Sequence, residues 1–271
     1  MRFGPGLLAV VLSACGFRVE IGTVDADTVQ PDRPDSLDPD AAPDADVTVD
    51  AARPRFCEPI APLQLCFSFD QDPLPGTLAN EGSVAVDATL RNITRVTSAQ
   101  GGAAQFETDS AIIVPDTDVE GIVSLETWFR IDTLPASDGA RQGILDSNTN
   151  PNISLFVYRQ SSSYALRCGL GAGLVTFSTS ALTAGTWHYV ACSCDGVNLA
   201  VYLDGVSIGS LAAACTGGGS IVGDAFTIGS DNRADPQNIG ERIEGAIDGV
   251  RLWSTPLSAT QVCQRAGRTG C

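Results

Sequence analysis

Residues 187–208 constrain this chain more tightly than any other stretch. They read Trp-His-Tyr-Val-Ala-Cys-Ser-Cys, then Asp195-Gly196, then Val-Asn-Leu-Ala-Val-Tyr-Leu, then Asp204-Gly205, then Val-Ser-Ile. A two-residue hairpin loop needs positive φ at both positions, which Gly adopts freely and Asp tolerates. Two such pairs nine residues apart, each flanked by apolar alternation, predict a three-stranded antiparallel meander. The same period of two recurs elsewhere. Leu63, Leu65, Phe67 and Phe69 alternate with Gln64, Cys66, Ser68 and Asp70, and further strands are expected over 123–131, 153–158, 225–228 and 247–253. One short helix is expected after Pro256, where Ser258 and Gln261 have capping-box spacing. With 28 Gly, 15 Pro and no strand–helix–strand rhythm, the fold class is all-β, a two-sheet antiparallel sandwich over residues 56–271. Trp128, Trp187 and Trp253 are expected to anchor the core between the sheets.

The first 55 residues are different material. Arg2 precedes an apolar run from Leu7 to Leu12 that is too short to span a bilayer, so residues 1–14 read as a secretion signal. The ending Leu12-Ser13-Ala14-Cys15 resembles the bacterial lipobox, which implies lipidation of Cys15. Gly16 in place of Asp implies an outer-membrane or cell-surface destination outside the cytoplasm. A plain cleavable signal with an incidental Cys is the alternative. Residues 15–55 are rich in Asp, Pro and Ala and carry too little apolar surface to offset ordering entropy. They are expected to form a disordered tether with a reach on the order of 100 Å at ~3.1 Å per residue.

Setting Cys15 aside, eight of the nine Cys remain: Cys57, Cys66, Cys168, Cys192, Cys194, Cys215, Cys263 and Cys271. An even set in an exported chain predicts four disulfides. Cys192 and Cys194 share a strand face and are expected to pair with Cys168 and Cys215 in undetermined order. Cys57–Cys66 and Cys263–Cys271 would close local loops. A four-Cys zinc site is disfavoured by the Cys-x-Cys spacing.

The motif Thr186-Trp187-His188-Tyr189-Val190-Ala191, Asp195-Gly196, Val201-Tyr202-Leu203-Asp204-Gly205 resembles the central signature of concanavalin A-like, laminin G-type jellyroll domains. Gly245-Ala-Ile247-Asp248-Gly249-Val250-Arg251-Leu252-Trp253 followed by Pro256-Leu257-Ser258 is similar to that family's closing strand and short helix. Phe67-Ser68-Phe69-Asp70 and Leu125-Glu126-Thr127-Trp128-Phe129 resemble its early strands. The likeness covers roughly residues 60–266. It implies that the first and last strands lie side by side, bringing Asp70 and Asp248 together as a seat for a structural Ca²⁺, the one cofactor considered. The alternative is that Asp248 bonds neighbouring backbone. Sandwich rims carry binding loops, so the polar loop with Asp231, Asn232, Arg233, Asp235 and Asn238 is the first place to expect a ligand. A plain solvated loop is the other reading.

Charge and missing residues narrow the function. The 16 basic residues are all Arg against 32 acidic ones, giving −16, which disfavours nucleic acid as a partner. There is no Lys, a single His (His188), and neither His-Glu-x-x-His nor Gly-x-Ser-x-Gly. Most glycosidases use two suitably placed carboxylates. Laminarinase-type hydrolases of the resembled fold carry Glu-x-Asp-x-Glu, whereas Glu241 and Glu244 lie three apart. No catalytic apparatus is expected. The reading is a lipid-anchored extracytoplasmic binding protein whose partner is a glycan or an envelope or extracellular protein. The rivals are a structural envelope protein without ligand and a carbohydrate-active hydrolase.

Overall fold

The structure, a computed structural model, describes residues 56–57, 60, 62–98, 100–147, 152–213, 215, 217–231 and 241–271. The Cys15 assignment and the tether lie outside them. In chain order the strands are β1 (Leu63–Phe67), β2 (Thr77–Ala79), β3 (Asp87–Arg91), β4 (Thr94–Thr97), β5 (Gly102–Phe106), β6 (Ala111–Val114), β7 (Ser124–Ile131) and β8 (Arg141–Asp146). They continue with β9 (Asn152–Gln160), β10 (Ser163–Gly171), β11 (Gly173–Thr179), β12 (Trp187–Cys194), β13 (Asn198–Leu203), β14 (Val206–Ala212), β15 (Phe226–Ile228) and β16 (Gly245–Trp253). Helix α1 (Ala259–Arg265) follows.

These strands form two eight-stranded antiparallel sheets. The first runs β14-β13-β12-β7-β16-β5-β4, with β1 also paired to β16; the second runs β11-β10-β9-β8-β15-β6-β3-β2. Chain start and chain end thus meet in one sheet, with Phe67 opposite Val250. The meander forms as β12-β13-β14, but its two Asp-Gly turns differ. Asp204 (φ 50°) and Gly205 (φ 76°) make the two-residue loop. At the other turn Asp195 Oδ1 accepts from the N–H groups of Val197 (2.8 Å) and Asn198 (2.7 Å), so its side chain closes a longer loop. Helix α1 has both reciprocal bonds of its capping box, between Ser258 and Gln261.

One phase of each strand fills the space between the sheets. Leu65, Phe67, Phe106, Leu125, Phe129, Val190, Val250 and Leu252 of the first sheet meet Ile112, Leu145, Leu155, Val157, Leu166, Phe226 and Ile228 of the second. Each such side chain contributes roughly 1.5–3 kcal/mol on burial. Cys168 and Cys192 face each other across this core and form one disulfide; Cys194–Cys215 forms a second, settling the order left open. Cys57–Cys66 and Cys263–Cys271 close short loops at the chain ends.

The tryptophans correct an expectation. Trp128 and Trp253 lie on the opposite strand phase, in a second cluster outside the sandwich core, and Trp187 is half-buried beneath Arg130. The reason is register: Leu125, Phe129 and Ile131 occupy the inward phase of β7, so Trp128 must point outward.

Candidate functional site

Part of the first sheet's outer face is covered. Leu63, Tyr189, Ala191 and Trp253 pack there against Leu257, Val262 and the Cys57–Cys66 disulfide. At its centre sits Glu126, fully buried. Tyr189 donates its hydroxyl proton to Glu126 Oε2, Trp253 Nε1 donates to Oε1 at 2.9 Å, and Arg265 Nη1 donates to Oε1 at 2.6 Å. Arg251 Nε lies 2.8 Å from the same oxygen as an ion pair, although its N–H is not aligned for a hydrogen bond. Burial, then the Glu126 charge, pushes the Tyr189 hydroxyl well above its usual range. Burial lowers Arg251 against the pull of Glu126. Toward β13 and β14 the same face is uncovered, and Ser193, Tyr202, Ser207, Ser210, Leu257 and Ser258 line a cavity there.

The second sheet's outer face carries no described helix or strand. Register puts Arg141 opposite Tyr158 and Gly143 opposite Phe156, while Arg167 stands between Phe156 and Thr176. Tyr158 Oη accepts from both guanidiniums, Arg141 Nη1 at 2.9 Å and Arg167 Nη1 at 2.8 Å. Arg167 lies 4.4 Å above the Tyr158 ring, and its Nε donates to Thr176 Oγ1 at 3.3 Å. Arg141 covers the Phe156 ring at 4.9 Å, which leaves Phe156 only 4% exposed. Arg141 also pairs with Asp231 at 3.0 Å and, through Nε, with Glu241. Burial opposes its charge, but the bonds to Tyr158 and Glu241 outweigh that and raise its pKa.

Two glycines shape this face by what they lack. A Cβ on Gly143 would stand 2.5 Å from the Ser230 carbonyl carbon and 2.6 Å from the Asp231 nitrogen. Its absence lets that backbone cross the strand and present Asp231 to Arg141. A Cβ on Gly169 would stand 2.4 Å from Asn152 Oδ1 and 2.6 Å from Ser154 Oγ, so both side chains reach over β10 there.

Of the expected ligand loop, Asp231 belongs to this cluster, and its side chain is 10% exposed rather than free in solvent. Asn232, Arg233, Asp235 and Asn238 lie outside the described residues. Asp70 and Asp248 do come together: the Asp70 charge is felt at Asp248. Asp248 accepts from Ser98 Oγ, and Asp70 Oδ1 accepts from the Gly102 N–H at 2.8 Å. Burial first, then Asp70, pushes Asp248 up to about 7. Among the described residues no group of three or more His, Cys, Asp or Glu could hold a metal ion.

His188 is 5% exposed, with Nδ1 2.9 Å from Asp204 Oδ2 and Nε2 accepting from the Thr183 N–H at 3.4 Å. Glu241 is taken by Arg141, and Glu244 follows in the loop before β16. Sequence reasoning missed Arg141, Tyr158 and Arg167. The available signal was the polar phase Asn152, Ser154, Tyr158 of β9, shared with Arg167 and Gly169 on β10.

Two antiparallel sheets over one core define a jellyroll-type β-sandwich. Residues 106–263 match the family Laminin_G_3, of the concanavalin A-like lectin/glucanases superfamily, and the chain belongs to it. Among curated proteins none matches the sequence. Domain 4 of AbnA, an extracellular GH43 arabinanase from Geobacillus stearothermophilus, solved with arabinotriose, superposes with TM-score 0.54 at 20% identity, over 75% of this chain and 98% of that one. The binding domain of Paraclostridial Mosquitocidal Protein 1 gives 0.55 at 12% identity over 75% of this chain. A botulinum neurotoxin type C chain, from work on cell entry that depends on two ganglioside molecules, gives 0.53 at 12% over 76%. The alignment spans about half of each toxin chain. These likenesses show the fold.

Proposed function

We propose that the chain is a non-catalytic glycan-recognition module, exported and tethered to a membrane through Cys15, that takes its ligand on the outer face of the second sheet. The observation that carries this is the pair of guanidiniums, Arg141 and Arg167, that converge on Tyr158 on that face. Arabinotriose on the AbnA domain and gangliosides on the type C toxin support a sugar as ligand class.

The test is a glycan array probed with the full-length protein. The expected result is binding to a restricted set of glycans, weakened at least about tenfold (about 1.4 kcal/mol) by Tyr158→Ala at unchanged melting temperature. Capture of envelope proteins with no glycan bound would overturn the reading, and so would glycan binding indifferent to Tyr158→Ala. The tether is tested separately by mass spectrometry of the mature N-terminus, where acylated Cys15 is expected. Asp70 and Asp248 would hold a structural Ca²⁺: Asp248 is buried, the exposed Asp70 adds to the cost of its charge, and a cation beside both would offset that cost. Carbonyls and water would supply the remaining oxygens of its shell of six to eight.

A further inference from the structure

Resting on the second sheet's outer face as the ligand surface, we infer that the glycan it takes is anionic and that Arg167 receives its charged group. The two arginines on Tyr158 differ in one respect. Arg141 is balanced by carboxylates, Asp231 at 3.0 Å and Glu241. Arg167 touches only neutral oxygens, those of Tyr158 and Thr176, and no carboxylate of the described residues pairs with it. A guanidinium has five N–H donors, and these contacts use two. In a chain with twice as many acidic as basic residues, an arginine without a carboxylate is not explained by a shortage of partners.

Stacking on Tyr158 and the bonds from Nη1 and Nε hold the guanidinium in place, so little side-chain entropy remains to be lost on binding. Its planar fork suits a carboxylate or a sulfate ester, both of which present paired oxygens. Two residues along β10, about 7 Å at ~3.4 Å per residue, Gly169 leaves space that Asn152 Oδ1 and Ser154 Oγ enter. Asn152 Oδ1 is buried there and receives no hydrogen bond, so the contact this strip offers a ligand is the Arg167 guanidinium.

The experiment is isothermal titration of the full-length protein with four probes: oligogalacturonate, its methyl ester, a sulfated dextran oligosaccharide and neutral malto-oligosaccharide. Oligogalacturonate binding at least tenfold tighter than its methyl ester, with Arg167→Gln removing that preference, establishes a carboxylate ligand. Sulfated dextran bound alone, with the same dependence on Arg167→Gln, establishes the sulfate source. Arg167→Lys keeps the charge but not the fork, and it should retain only part of the preference. The ester comparison needs no variant, so it holds even if Arg167→Gln fails to fold. Equal binding of charged and uncharged forms overturns the inference and leaves glycan recognition standing. Array-wide silence in the preceding test overturns both.

Discussion

Glu126 illustrates what a single position decides. It shares the outward phase of β7 with Trp128, a phase that in an exposed sheet would be solvated, and here it is completely enclosed. A buried carboxylate is tolerable only when paired and hydrogen-bonded. Two arginines, a tyrosine and a tryptophan do this, from β12, β16 and α1. Glu126→Gln leaves Arg251 and Arg265 without a carboxylate and should cost about 3–5 kcal/mol in denaturant unfolding. A loss under about 1 kcal/mol would mean the cluster is solvated. The alternation around Glu126 was legible in the sequence, but the arginines that face it were not, because they lie more than a hundred residues away.

Among elements, the disulfides and the turns carry the argument. Cys168–Cys192 joins β10 of one sheet to β12 of the other and closes a loop with a sequence separation of 24. Chain entropy for a loop of that length suggests about 3 kcal/mol. The double variant Cys168→Ala, Cys192→Ala should lose roughly that amount while keeping the strand signature in circular dichroism. An unchanged midpoint would show that the bridge adds nothing to the packed core. The strand over 187–194 and the same-face placement of its two cysteines followed from spacing alone, since successive strand residues alternate faces. Which cysteine met which partner depended on how the sheets stack, and no local pattern records that.

For the whole molecule, the meeting of chain start and chain end sets the pH response. Asp248 lies where β16 passes from β5 to β1, at a bulge between Asp248 and Val250, and faces Asp70 and Ser98. Its folded pKa, about 7, stands above the ordinary carboxylate value of 3.8. The folded state therefore holds the proton more tightly than the unfolded chain does. The stability from this group is fully present below the ordinary value and lost as pH rises through about 7, by at most roughly 4 kcal/mol. With a chelator present, Asp248→Asn should flatten the wild-type decline between pH 4 and 7.5. At pH 7.5, calcium should raise the wild-type melting temperature and leave Asp248→Asn unmoved. A parallel response of the two proteins would remove Asp248 from both roles.

The sequence by itself determined the fold class, the meander over 187–208, the capped helix after Pro256 and the set of half-cystines, because period, turn chemistry and spacing are local properties. It also brought Asp70 to Asp248 through the likeness of the first and last strands. Only the tertiary structure decided what packs on the first sheet's outer face, that Trp128 and Trp253 belong to that cluster rather than the core, and that Arg141 and Arg167 converge on Tyr158. A strand's alternation says that its side chains divide between two faces. What covers each face is set by elements distant in the chain.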